Sequence, residues 1–202
     1  MVDHTGALHQ LGRELFASSE WERLWQISLS NPLDLARLTV FDRTLGGPCI
    51  TTIADRSMSG GALGIPGHGV GRYDAGDRAV FRPLHYCSSS FMIGLPDSET
   101  RAVVQMSAAH LEALVKLIAE TPHHSLGPAL KAVRNKIDET TRGQIGRLVD
   151  ISNDAKHRFD QAKDTHLFPA EDAVLTYFVC RRLAQRLYPL VRLSTDLGVF
   201  SV

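Results

Sequence analysis

The clearest pattern in the chain is a set of apolar residues spaced three and four positions apart between residues 97 and 118. This spacing places them on one face of a helix, and it predicts a core-facing helix of about five turns. Asp97, Ser98 and Glu99 supply cap chemistry and negative charge at its start, and Thr121-Pro122 ends it. The apolar positions are Val104, Ala108, Leu111, Val115 and Ile118.

Three later segments carry the same kind of pattern. The first runs over residues 125–137. The second either bends at Gly143 and Gly146 or restarts near Thr141, and then continues to His157. The third has Pro169 in its first turn and stops at Pro189. Amphipathic helices joined by short connections are typical of a helical bundle.

The first 84 residues have a different texture. Residues 8–37 have helical spacing interrupted at Asn31-Pro32, which predicts one or two short helices. Residues 43–83 are rich in glycine, and their one strand-like run is 49–53, so we expect loops with a hairpin as an alternative. The glycine string at 67–71 lacks a preceding strand and a following amphipathic helix, which argues against a phosphate-binding loop.

The predicted fold is therefore all-α, a bundle of four to five helices with a Gly-rich irregular N-terminal extension. Its predicted units are residues 1–84, with short helices and the Gly-rich loop or hairpin region, and residues 85–202, with the bundle. A chain of 202 residues is long enough for one sizeable core and too short for two average domains.

Composition gives the chain no global charge preference, because 22 basic residues balance 22 acidic ones. The three cysteines, Cys49, Cys87 and Cys180, are widely spaced, which argues against a disulfide framework and favours a reducing cytoplasm. No apolar run approaches the length of a membrane span, and the N-terminus lacks the pattern of a signal peptide. We therefore expect a cytoplasmic protein without a membrane partner.

The polar cluster best suited to chemistry is the segment from Asn153 to Arg158. Asn153 and His157 are four residues apart and share a helical face, beside Lys156 and Arg158. An imidazole that titrates near neutrality can transfer protons, and the two cations can bind a phosphate. Asn153 would orient the imidazole or the phosphate. The alternative is structural: Asn153 and His157 bond a neighbouring helix, and the cations are solvated.

Local charge favours an anionic partner. Residues 131–163 contain eight Lys or Arg and five Asp or Glu, and Arg142, Arg147 and Lys163 are the candidate nucleic-acid ligands in this stretch. The arginines at 181, 182 and 186 form a second cationic group, which is better explained by a favourable position near a helix C-terminus.

The nine histidines do not form a metal-binding pattern, since no helix carries a His-x3-His or Glu-x-x-His pair, and we expect neither a metal nor another cofactor. His110 and His124 are interpreted as hydrogen-bonded helix-end or interface residues. Cys87 and the serines after it lack a nucleophile-elbow motif and are interpreted as structural, and Tyr177 and Phe178 as core residues.

Three segments resemble the HEPN (higher eukaryotes and prokaryotes nucleotide-binding) domain, a small α-helical bundle. Residues 107–116 are similar to the second-helix pattern of the family, with Glu112 and Lys116 four apart. Residues 123–126 are similar to its His-x-Leu turn, and residues 153–157 to its Asn-x-x-Lys-His ending. The resemblance covers roughly residues 85–190.

The resemblance implies two outcomes. Many HEPN proteins are metal-independent ribonucleases of toxin or defence type, in which a closely spaced Arg and His meet the matching pair of a second protomer. This chain departs from that spacing, because nine residues separate Arg147 from His157. Lys156 or Arg158 would replace the missing cation. The other outcome is a non-catalytic module that binds nucleotides, RNA or a partner protein, and a homodimer is expected.

Overall fold

The computed structural model describes residues 4–45, 75–121, 125–157 and 168–191, with the backbone alone for residues 75–79, 156 and 157. Its α-helices are α1 (His4–Leu15), α2 (Ser18–Ser28), α3 (Leu35–Thr44), α4 (Ala75–Met92), α5 (Asp97–Ile118), α6 (Leu126–Ala132), α7 (Glu139–His157) and α8 (Ala170–Leu187). A short 3-10 helix, Tyr188–Leu190, follows α8.

The predicted all-α class is confirmed for the described residues, but the predicted number of four to five helices is wrong, since eight α-helices are present there. Two causes account for the difference. The N-terminal segment divides into three helices, and α4 begins at Ala75, inside the stretch predicted to be irregular. Packing explains α4, because Val80, Phe81 and Leu84 are buried in the core.

Local sequence sets several helix starts. The carboxylate of Asp34 accepts the backbone N–H of Arg37 at 3.0 Å and caps α3. In the same way Asp138 accepts the N–H of Thr141 at 2.8 Å and fixes the start of α7. Unpaired amides at a helix N-terminus need such acceptors. The sequence left two alternatives for this segment, a bend at Gly143 and Gly146 or a restart near Thr141. The restart is confirmed, because α7 begins at Glu139 and runs without interruption through both glycines.

Helices α5 and α8 form the centre of the bundle. Helix α5 packs against α4, α6, α7 and α8, and α8 also packs against α1 and α2. Most residues of α8 are buried, including Tyr177 and Phe178 as predicted. Burial around its whole circumference is typical of a central helix. Helices α4 and α5 form an antiparallel hairpin, because Ser90 lies beside Glu99 at one end and Val80 beside His110 at the other.

The centre also holds a fully buried ion pair. Arg181 of α8 donates Nε–H to Oδ1 of Asp42 of α3 at 3.1 Å, and both side chains have no solvent exposure. A buried guanidinium without a carboxylate is costly, so this pair fixes α3 against α8.

Helix α1 runs antiparallel beside α7. His4 at the start of α1 lies beside Asp154 near the end of α7, and Glu14 at the end of α1 lies beside Arg147. These two contacts determine where the polar face of α7 meets α1. None of the described helices is long and apolar enough to cross a membrane.

Some predicted features lie outside the described residues. They are the strand-like run 49–53, the glycine string 67–71, His123, His124, Arg158 and Lys163.

Candidate functional site

Helix α7 carries five of the seven predicted site residues: Arg142, Arg147, Asn153, Lys156 and His157. Lys156 and His157 close the helix, and the described structure gives their backbone positions. The backbone of His157 lies four residues beyond Asn153, so these two positions share a helical face as predicted.

Arg147 is engaged within the chain. Its Nη1 donates to Oε1 of Glu14 at 2.9 Å, and its Nη2 bonds Oε2 of the same carboxylate. Gln144 also donates to Glu14, at 3.1 Å. These hydrogen bonds lower the pKa of Glu14 and keep its carboxylate charged, and the one from Arg147 has the largest effect. Arg147 therefore neutralises a carboxylate of α1 before it can act on a phosphate.

The other described candidates are less constrained. Asn153 is exposed and forms no hydrogen bond with the described part of the chain. Arg142 is half-buried, and its buried Nε has no hydrogen-bond partner among the described residues. Asn153 can therefore contact a ligand directly, whereas Arg142 presents only part of its guanidinium to solvent.

Arg101 is the cation that the sequence did not predict at this site. Its Nε donates to the backbone carbonyl of Ala155, and Nε2 of Gln105 donates to the same oxygen at 2.9 Å. Carbonyls in the last turn of a helix lack intrahelical partners and carry partial negative charge. The guanidinium of α5 is therefore drawn to the end of α7, two residues before His157.

The first residues of α1 also lie at the end of α7. Nε2 of His4 lies 3.7 Å from Oδ2 of Asp154, and the His4 ring stacks on Phe168 with centroids 4.8 Å apart. Thr5 donates to Asp172 of α8 at 2.7 Å. We call the polar residues at this end of the bundle the α7-end cluster: His4, Arg101, Gln105, Asn153 and Asp154.

The sequence contained only a partial signal for this cluster. Arg101 and Gln105 are four residues apart, so they share a face of α5. That spacing does not identify their shared partner, the carbonyl of Ala155. Ala155 is 54 residues from Arg101 and 50 residues from Gln105 along the chain. No sequence pattern identified His4 as a member of this cluster, since its contacts depend on the packing of α1 against α7.

The α7-end cluster has more hydrogen-bond donors than metal ligands, and Asp154 is its one carboxylate. Arg101 and Gln105 supply N–H donors, and Asn153 supplies an amide. Within the described residues, no group of three or more His, Cys, Asp or Glu side chains is arranged to hold a metal ion.

Two other sequence hypotheses, on His110 and Cys87, have clear outcomes. His110 is buried and bonded at both ring nitrogens, by the carbonyl of Val80 and by the hydroxyl of Tyr188, each at 2.7 Å. The interpretation of His110 as a hydrogen-bonded interface residue is confirmed. Cys87 is fully buried, and burial raises the pKa of its thiol to about 12, so it stays protonated and is a poor nucleophile.

The arginines of α8 do not form an open cationic patch. Arg181 pairs with Asp42 in the core, and Nη2 of Arg182 bonds Glu20 at 3.0 Å. Arg186 donates to Gln144 at 3.2 Å. Their contacts join α8 to other elements of the bundle, whereas the predicted explanation, a favourable position near a helix C-terminus, stays a prediction.

Comparison of the chain with protein-family models, with curated proteins and with solved structures gave no match. The resemblance to HEPN domains therefore rests on the three sequence segments that carry it.

Proposed function

We propose that this protein is an RNA- or nucleotide-directed module of the HEPN-like toxin or defence type, and that it cleaves RNA without a metal. One observation carries the proposal: Arg101 donates to the carbonyl of Ala155, so a guanidinium lies at the helix end that His157 closes. The resemblance requires an arginine near the histidine. In support of the proposal, the packing of α5 against α7 brings Arg101 to the carbonyl of Ala155, two residues before His157 along the chain.

Each residue has a role in this proposal. Cleavage of RNA needs a base for the 2′-hydroxyl proton, an acid for the leaving oxygen, and donors for the charge on the phosphate. His157 transfers protons. Lys156 and Arg158 bind the phosphate, and Arg101 adds positive charge at the end of α7. Asn153 orients the phosphate or the imidazole.

The remaining predicted nucleic-acid ligands bind the RNA and take no part in its cleavage. Arg142 and Lys163 contribute positive charge for RNA binding, and Arg147 contributes less because Glu14 neutralises it. A homodimer would bring two such helix ends together.

The test is RNA cleavage in the presence of chelator by wild type, His157→Ala, Arg101→Gln and Arg134→Gln. Arg134 follows α6 and is exposed, so Arg134→Gln is the matched control for the loss of one cation. We expect cleavage by wild type and Arg134→Gln, none by His157→Ala, and a large loss in Arg101→Gln. Far-UV circular dichroism checks that each variant keeps its helicity.

Two results would contradict the proposal. The first is the absence of cleavage by wild type over a mixed RNA pool. The second is full activity in His157→Ala, which would assign the cleavage to another group or to a contaminant.

An exposed apolar site favours a second candidate, a non-catalytic protein-interaction or regulatory bundle. Met92, the last residue of α4, and Ile93, in the turn that follows it, are 41% and 69% exposed. Exposed apolar side chains of this kind occur at protein interfaces. Under this alternative, Ile93→Glu abolishes the function and His157→Ala leaves it intact, which is the reverse of the result expected for a nuclease.

A further inference from the structure

A cleft of about 640 Å³ lies between α1 and α2, lined by Gly6, His9, Gln10, Arg13, Glu14 and Trp25. Gly6, His9, Gln10 and Arg13 recur at the three- and four-residue spacing of one face of α1. Trp25 comes from α2. The volume lies within the range of small-molecule sites.

The aromatic wall of the cleft is held in place by hydrogen bonding and ring packing. Nε1 of Trp21 donates to Nδ1 of His9 at 3.1 Å, and because an indole nitrogen is only a donor, the neutral His9 ring carries its proton on Nε2. His9 packs edge-on to Trp25 with centroids 4.1 Å apart. Trp25 is half-buried, so part of its indole remains open to the cleft. A pre-positioned ring loses little freedom when a ligand stacks on it.

The charge of the cleft favours an anion. Arg13 is exposed and has no charged or hydrogen-bonded partner among the described residues. Glu14 would repel an anion, but its carboxylate is neutralised by Arg147 and also accepts from Gln144. The guanidinium of Arg13 therefore remains as the uncompensated charge of the lining. It can bind a carboxylate or a phosphate through two parallel hydrogen bonds.

We propose that this cleft binds a small aromatic anion, with the ring on Trp25 and the carboxylate or phosphate on Arg13. The inference goes beyond the proposed function, because it assigns a small-molecule site on α1 and α2 and holds whether or not the α7 end cleaves RNA. A carboxylate and a phosphate share the chemistry that Arg13 recognises, and probes of both kinds distinguish them.

The probes are phenyl phosphate and indole-3-acetate, measured by calorimetry and by the indole N–H signals in a ¹⁵N correlation spectrum. The chain has two tryptophans, so Trp25→Phe assigns the signals. We expect saturable binding of at least one probe with a dissociation constant below about 1 mM, and a shift of the Trp25 signal. Indole and inorganic phosphate, which each carry half of the chemistry, should bind far more weakly.

Two variants test the assigned contacts. Arg13→Gln should weaken binding about tenfold or more, since it removes a charge-assisted pair of hydrogen bonds. Trp25→Leu should weaken it about fivefold through loss of stacking. Arg134→Gln, the matched exposed arginine, should leave the affinity unchanged. Helicity and thermal midpoint verify that each variant is folded.

Several results would overturn the proposal. One is the absence of saturable binding of either probe. Another is equal binding of indole and indole-3-acetate together with no binding of phenyl phosphate, which would show an apolar cleft that does not use its charge. A third is an equal loss in Arg13→Gln and Arg134→Gln, which would indicate nonspecific attraction. Binding of a single-stranded oligoribonucleotide with none of either probe would assign the surface to RNA instead.

Discussion

Replacing Gly12 by alanine tests how tightly α1 packs against α2. Gly12 is buried in α1, and a Cβ built on it would lie 2.2 Å from Cη2 and 2.3 Å from Cζ2 and Cζ3 of Trp21. Nonbonded carbons prefer a separation of about 3.5 to 4.0 Å, so the indole would have to move by more than about 1 Å.

Trp21 has little room for that movement. It is 4% exposed, packs against Phe16 with ring centroids 5.6 Å apart, and donates its N–H to His9. Overpacking costs about 1 to 3 kcal/mol and a lost hydrogen bond about 1 kcal/mol, while alanine's helix propensity returns about 1 kcal/mol. We therefore expect Gly12→Ala to lower the free energy of unfolding by about 2 kcal/mol.

Gly143→Ala in α7 is the matched control. Gly143 is exposed, and a Cβ built there meets no described atom within 4 Å. This substitution should raise the free energy of unfolding by about 0.5 to 1 kcal/mol. Urea unfolding followed by circular dichroism measures both variants, and a shift of the midpoint at constant slope reports the change in stability.

The result that would refute this reasoning is a Gly12→Ala protein as stable as wild type or stabilised like Gly143→Ala. The indole would then be free to move aside at no cost. Trp21 and His9 would not be held as the structure describes, and the wall of the α1–α2 cleft would lose its rigidity with them.

Three further predictions concern buried and paired polar groups. Asp42→Leu should lower the free energy of unfolding by about 3 to 5 kcal/mol, because it removes the carboxylate from the buried guanidinium of Arg181, whereas Asp42→Leu with Arg181→Met should lose much less. Burial lowers the pKa of His110 to about 4. In the unfolded chain the pKa of His110 is near 6.5, so the unfolded chain binds more protons than the folded one below that pH. The lowered pKa should therefore decrease the free energy of unfolding by about 3 kcal/mol as pH falls from 6.5 to 4, and should have no effect above pH 7. Glu14→Gln should cost at most about 1 kcal/mol, less at high salt, because its pair with Arg147 is partly exposed.

Urea unfolding measures all three, with a pH series of wild type against His110→Gln for the second. A double variant at positions 42 and 181 as unstable as Asp42→Leu would show that the two side chains do not depend on each other. A difference between wild type and His110→Gln that stays constant with pH would show that His110 is protonated as easily in the fold as in the unfolded chain. A cost for Glu14→Gln that is unchanged by salt would mean that packing, not charge, stabilises that contact.

The helices that the sequence predicted well are those with a complete local signal. Helix α5 extends from Asp97 to Ile118, where apolar spacing and acidic first-turn residues placed it. Helix α8 follows Pro169 and ends before Pro189. Glu112 and Lys116, which the sequence places four residues apart on α5, form an ion pair at 2.7 Å. Helix α4 was predicted only in part, because Gly76 weakens the helical signal of its first turn and its stability comes from packing against α5.

The sequence by itself determined the all-helical class, most helix positions in the second half of the chain, and the shared face of Asn153 and His157. These follow from hydrogen bonds and side-chain spacing within a few residues along the chain. Only the tertiary structure placed Arg101 at the end of α7, Glu14 on Arg147, and Trp25 in the same cleft as Arg13. Such contacts join residues of different helices, and they depend on the register and angle at which whole helices pack, which no local pattern specifies.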